Sequence, residues 1–182
     1  MILSLVRLAR RAVGLIEIAL FVGLIVFTLF AHVAPLSGRQ LFIVGGGSME
    51  PSIPVGSIVI VTPTDAMTIG VGDVVTIRAD NGAVVTHRVS QVVDGPDGRF
   101  FELRGDANEG PDGGLVPARA IVGAADQYVP YAGYAQKFLS TVPGVVTALA
   151  VLGALLLTYL VLEMLESTTP TISSEAREPI RP

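Results

Sequence analysis

The sequence predicts a mainly β protein: an antiparallel β domain, partly barrel-like, flanked by two transmembrane helices. Three observations carry that prediction. The chain of 182 residues is 51% hydrophobic with a mean hydropathy of +0.63, too apolar for an ordinary water-soluble domain. Two long apolar runs stand on either side of a central region. In that region the pattern changes to short β-branched runs broken by Gly, Pro, Asp and Asn, the mark of strands and tight turns.

Residues 1–11 form a basic segment carrying Arg7, Arg10 and Arg11. Residues 12–33 follow with one acid, Glu17, and no base. As a helix they would extend ~33 Å, enough to cross a hydrocarbon core of ~30 Å. The run exceeds the ~7–15 apolar residues of a cleaved signal sequence, so it reads as a retained anchor. The arginines ahead of it assign the N-terminus to the cytoplasm. Residues 34–141 then lie outside, and the uncharged run 142–162 returns the chain to the first side. The tail, 163–182, is rich in Ser, Thr, Pro and charge and reads as disordered and cytoplasmic.

Within the external domain, "SIVIVT" (57–62), "DVVTIRA" (73–79), "AVVTHRVSQVV" (83–93) and "RFFELRG" (99–105) read as strands, with a further one inside 119–129. "ADNGA" and "DGPDG" supply hairpin turns. The "LFIV" run (41–44) suits either an apolar lip at the lipid surface or an ordinary core strand. No helix is expected between the spans.

Composition excludes several chemistries. A net charge of −4 argues against nucleic acid as a partner. Without cysteine there is no disulfide, zinc-thiolate site or cysteine nucleophile. The two histidines are His32, inside the first span, and His87.

Candidate reactive residues lie in three stretches. In "IVGGGSMEPSIPVGS" three glycines and a Met-Glu-Pro surround a single hydroxyl, Ser48. Glycine admits positive φ and proline locks its own, so a tight turn explains the stretch by itself. Strand alternation puts Val85, His87 and Val89 on one face and Thr86, Arg88 and Ser90 on the other. A histidine sharing a face with valines is part-buried and needs a hydrogen-bond partner. "LRGDANEGPDGG" brings two acids, Asp106 and Asp112, into a glycine-rich loop. Turn capping accounts for such acids too, and the spacing does not meet that of an EF-hand calcium loop.

Taken in order, these stretches resemble the type I signal peptidases of the archaeal and endoplasmic-reticulum kind, peptidase family S26, over roughly residues 12–160. "GGGSMEPSIPVGS" is similar to that family's nucleophile box, "GDVVTIR" to its second strand, "VVTHRV" to its base box and "RGDANEGPD" to its acid box. "IVGAADQYVPYAGY" resembles its closing strand and Pro-Tyr segment. The resemblance implies Ser48 as nucleophile, His87 as general base and Asp112 or Asp106 as third member, with no cofactor or metal. Asp112 matches the position of the family's essential acid. Two positions depart from the pattern: Gly46 stands where the family often has an oxyanion-binding Ser, and Gly56-Ser57 replaces a Gly-Asp.

The activity so implied is that of a membrane-anchored serine endopeptidase cleaving signal peptides from secreted preproteins after small residues. Its partners would be preproteins, membrane lipid and accessory subunits of the secretion machinery. Met49 and Ile53 are candidates for its substrate pockets. Many signal peptidases use a lysine base, but the single lysine, Lys137, abuts the second span, so imidazole is the expected base. A rival reading is a catalytically silent anchored β domain, a scaffold within a processing complex. A self-cleaving repressor-like protein would need a lysine base and DNA-binding segments. Eleven arginines against one lysine suit a GC-rich prokaryote, hence its plasma membrane.

Overall fold

The computed structural model describes residues 2–79 and 81–168. The chain divides into two compact units: a helix pair, from residues up to 26 and from 143 onward, and a β domain over 27–142.

In the first unit the elements are α1 (Ile2–Leu36) and α3 (Val142–Thr168). Each contains an apolar segment long enough to cross a membrane, Ser4–Ala31 and Val142–Thr168. Both helices outrun the predicted spans. Leu, Arg and Ala ahead of residue 12 are strong helix formers, and so are Glu163, Met164, Leu165 and Glu166 beyond Leu162. Residues 163–168 of the expected tail are therefore helical, and 169–182 lie outside the described residues. The extensions are tied together: Arg10 reaches Glu166 at 3.1 Å and Glu163 at 3.5 Å, and Arg7 reaches Glu166 at 3.3 Å. The Arg10 guanidinium also lies 5.8 Å from the centre of the Tyr159 ring, within cation–π range.

The second unit is an antiparallel half-barrel. Its strands are β1 (Gln40–Ile43), β2 (Ile58–Thr62), β3 (Val74–Arg78), β4 (Val84–Gly95), β5 (Gly98–Arg104), β6 (Val116–Pro117) and β7 (Ile121–Val129). They stand in the order β1-β2-β7-β3-β4-β5-β6. The five predicted strands appear as β2, β3, β4, β5 and β7. Both hairpin signals close as expected. Gly82 turns β3 into β4 at φ 83°, and Gly95 pairs with Gly98 across the β4–β5 turn. The "LFIV" run is a strand, β1, pairing only with β2.

Alternation decides what is buried. Val75, Ile77, Val89, Phe101 and Leu103 form one core cluster with Ile69; Met49, Ile53, Val59 and Val61 form another. A bulge between Val89 and Gln91 re-aims the second half of β4.

A further expectation fails. A short helix, α2 (Ala132–Leu139), lies between the spans, where none was predicted. Eight residues behind a proline and a left-handed Tyr131 (φ 59°) give too little periodicity to read. Its stability is tertiary: Gly133 N–H donates to Gly56 O at 2.8 Å. A Cβ on Gly56, itself at φ 81°, would stand 2.1 Å from the Tyr134 ring. The two-residue β6, too short for any pattern, was equally invisible.

Candidate active site

Ser48 lies in the turn between β1 and β2. The turn is anchored by its neighbour: Met49 is only 1% exposed, Ile53 N–H donates to Met49 O at 2.8 Å, and Glu50 N–H donates to Gly47 O at 3.0 Å. Burying Met49 leaves the preceding side chain facing outward. The glycine run does not serve as expected, since Gly45, Gly46 and Gly47 are all absent from the positive-φ residues. A Cβ on Gly45 or Gly46 would meet nothing within 4 Å. What these glycines leave open is space beside the hydroxyl.

His87 is on β4, opposite Val75 of β3, and 7% exposed. Its Nε2 lies 2.8 Å from Ser48 Oγ. Its Nδ1 is hydrogen-bonded to Asp112 Oδ2. An ionised carboxylate only accepts, so Nδ1 carries the proton and Nε2 accepts from the serine hydroxyl. Asp112 is held by its own backbone, whose N–H donates to Leu103 O at 2.7 Å. The loop after β5 thus folds back to bring the carboxylate to the ring.

Asp106 goes elsewhere. Arg88 donates to it twice, Nε to Oδ1 at 2.8 Å and a terminal nitrogen to Oδ2 at 2.7 Å. The other terminal nitrogen of Arg88 donates to Gly72 O at 2.8 Å. This fork, together with a hydrogen bond from Ser52, holds the Asp106 carboxyl below its ordinary range against the opposing effect of burial. The Arg88 guanidinium is raised in turn, first by its hydrogen bond to Asp106. Alternation separates the two acids: His87 and Arg88 are consecutive, so their side chains leave β4 on opposite faces.

Two contributors were not singled out in the sequence. Arg88 was placed only by face, and its partner lies 18 residues away. Gly105 brings the loop after β5 against the Ser48 turn. A Cβ there would stand 2.6 Å from Ser48 O and 2.9 Å from Ser48 Cβ, while Ala107 N–H donates to Ser48 O at 2.8 Å. The Gly before Asp106 was the available signal, legible only once its neighbour in space is known.

A cleft of about 220 Å³ opens beside Ser48, walled by Phe42 to Gly46 and by Val84 to Thr86. Met49 and Ile53, the pocket candidates, are core residues instead. Each wall presents a strand edge. Among the described residues β1 pairs on one side only, and β5 begins to pair with β4 at Arg88, leaving 84–87 without a strand neighbour on that side. Ser57, at the second departure, is fully buried and donates its hydroxyl to Pro54 O at 2.6 Å.

No family model matches the chain. Among curated proteins it is 30% identical, over 131 residues, to the signal peptidase complex catalytic subunit SEC11C of Canis lupus familiaris. The alignment takes in 66% of this chain and 68% of that relative. The SEC11C proteins of Homo sapiens and Mus musculus match with the same figures.

Proposed function

The chain belongs to the signal peptidase family, and from that premise we propose that it is a serine endopeptidase of the archaeal and endoplasmic-reticulum type, removing signal peptides from exported preproteins. The observation that carries this reading is the continuous hydrogen-bonded series Ser48–His87–Asp112 beside a cleft edged by two open strands. An extended substrate lies in that cleft, pairing its backbone with β1, β4 or both. Small side chains next to the scissile bond suit the limited volume.

The steps follow from the geometry. Ser48 Oγ attacks the scissile carbonyl while His87 Nε2 takes its proton. Asp112 holds the ring's tautomer and stabilises the imidazolium that results. The developing oxyanion takes its hydrogen bonds from a main-chain N–H of the glycine turn or from a water in the open space at Gly46. Collapse of the tetrahedral intermediate sends the proton from Nε2 to the leaving amine. Water then attacks the acyl-serine, with His87 again as base, and releases the signal peptide. Asp106 supports the acid loop through Arg88 and stays outside the proton path.

The two apolar helices associate the chain with a membrane. We assign both as spans of a prokaryotic plasma membrane, with 1–11 and 163–182 in the cytoplasm and 34–141 outside. Tyr128, Tyr131, Tyr134 and Phe138 are exposed along the end of β7 and α2, an aromatic set suited to the lipid headgroup level.

The test is cleavage of a preprotein by the detergent-purified chain, with Ser48→Ala and His87→Ala alongside. Cleavage by the parent and its loss in both variants is expected. Cleavage that persists in either variant rejects the triad, and an inactive parent favours the scaffold reading.

A further inference from the structure

The predicted first span, residues 12–33, contains one charged side chain, Glu17. It is half-buried and lines a groove of about 430 Å³ between α1 and α3, with Ile18, Phe21, Leu152, Gly153 and Leu156. Nothing else in the groove wall is charged. Among the described residues no hydrogen bond or ion pair engages Glu17. The nearby bases are otherwise placed: Arg7 and Arg10 meet Glu163 and Glu166, and Arg11 lines a neighbouring groove with Gly14 and Tyr159. An ionised carboxylate facing hydrocarbon is costly without a countercharge, and such residues mark sites of function. At Gly153 a Cβ would meet nothing within 4 Å, so the groove floor is open.

We propose that this groove receives the apolar segment of the signal peptide and that Glu17 pairs with the last basic residue ahead of that segment. The inference rests on the reading given under Proposed function. A signal peptide has a positively charged start followed by ~7–15 apolar residues. As a helix, 15 residues extend ~22 Å. From Glu17 to the outer end of the span at Val33 the axial distance is ~24 Å on the same rise. A substrate whose cleavage site has reached the outer surface therefore has its final Lys or Arg at the depth of Glu17. Charge and length select this occupant: a lipid tail would satisfy neither, and the helix of an accessory subunit has no need of a base at that level.

The experiment uses the full-length chain in proteoliposomes and three versions of one preprotein, with Lys, Gln or Glu immediately before the apolar segment. The parent should cleave the Lys version with kcat/KM roughly three- to tenfold above the Gln version, the range of polar contacts between membrane helices. Glu17→Gln should abolish that preference, and Glu17→Lys should transfer it to the Glu version. Equal cleavage of all three versions by the parent overturns the inference while leaving the protease intact. No cleavage of any version defeats the protease reading itself.

A second measurement reads occupancy directly. Because the chain has no cysteine, Gly153→Cys in a Ser48→Ala background can be cross-linked to single cysteines placed along the preprotein. Links to the apolar segment support the inference. Links confined to the mature portion, to another copy of the chain, or to nothing because lipid fills the groove overturn it.

Discussion

Asp112 and Asp106 carry the same functional group in one loop, and their surroundings give them different work. Asp112 touches the ring of His87; Asp106 is gripped by the fork of Arg88. Replacing Asp112 by Asn keeps the shape but favours the wrong tautomer of His87. We expect kcat to fall ~10⁴-fold, the loss seen for such a change in serine proteases, with the melting temperature nearly unchanged. Asp106→Asn should do the reverse, with a modest change in kcat and a melting temperature lower by roughly 4–8 °C, the equivalent of about 1 kcal/mol in a domain of this size. The sign with pH follows from the lowered Asp106 pKa. Its stabilisation is complete above the unfolded value of 3.8 and disappears as pH falls through the lower folded value. Melting curves of parent and Asp106→Asn should therefore be separated at pH 7 and converge toward acid. Separation that persists undiminished at low pH would remove the ion pair as the cause.

Among the elements, the β5–β6 loop packs its backbone against the β1–β2 turn at Gly105. Gly105 lets the two backbones approach until Ala107 N–H bonds Ser48 O. Gly105→Ala introduces a Cβ 2.6 Å from that carbonyl, and a backbone neighbour cannot rotate away. Ser48 must shift. A displacement approaching 1 Å costs ~10²-fold in rate, so kcat should drop by about that factor while far-UV circular dichroism stays that of the parent. Full activity in Gly105→Ala would mean that the loop and the Ser48 turn move independently. The elements themselves were mostly legible. Runs of β-branched and aromatic residues bounded by turn residues mark β2, β3, β4, β5 and β7, because such side chains pack well on a pleated surface. α2 was not, since Gly133 and Tyr134 hold it against Gly56, 77 and 78 residues earlier in the chain.

For the whole molecule the prediction concerns sidedness. On the proposed topology, three arginines ahead of the first apolar helix keep the N-terminus in the cytoplasm, and the second apolar helix brings the chain back. In right-side-out vesicles a membrane-impermeant maleimide should label Asp97→Cys, in the β4–β5 turn, but not Ser4→Cys until the vesicles are opened. Labelling of Ser4→Cys in sealed vesicles would invert the topology and separate the β domain from exported substrates.

The sequence by itself determined what local repetition can encode: two helices of bilayer length, the strands and hairpins between them, and the face of β4 on which His87 stands. Each depends on residues a few positions apart. Residue pattern left both acids open, since Asp112 and Asp106 are the same residue type in one glycine-rich loop, and tertiary structure decided which carboxylate meets the imidazole. That choice depends on chain closures of 39 residues from Ser48 to His87 and 25 from His87 to Asp112, and on Arg88 drawing Asp106 to the opposite face. The same holds for the cleft, whose walls at Phe42 and Val84 are brought together by the curl of the sheet. Periodicity reports which way a side chain points; only the folded chain reports what it meets.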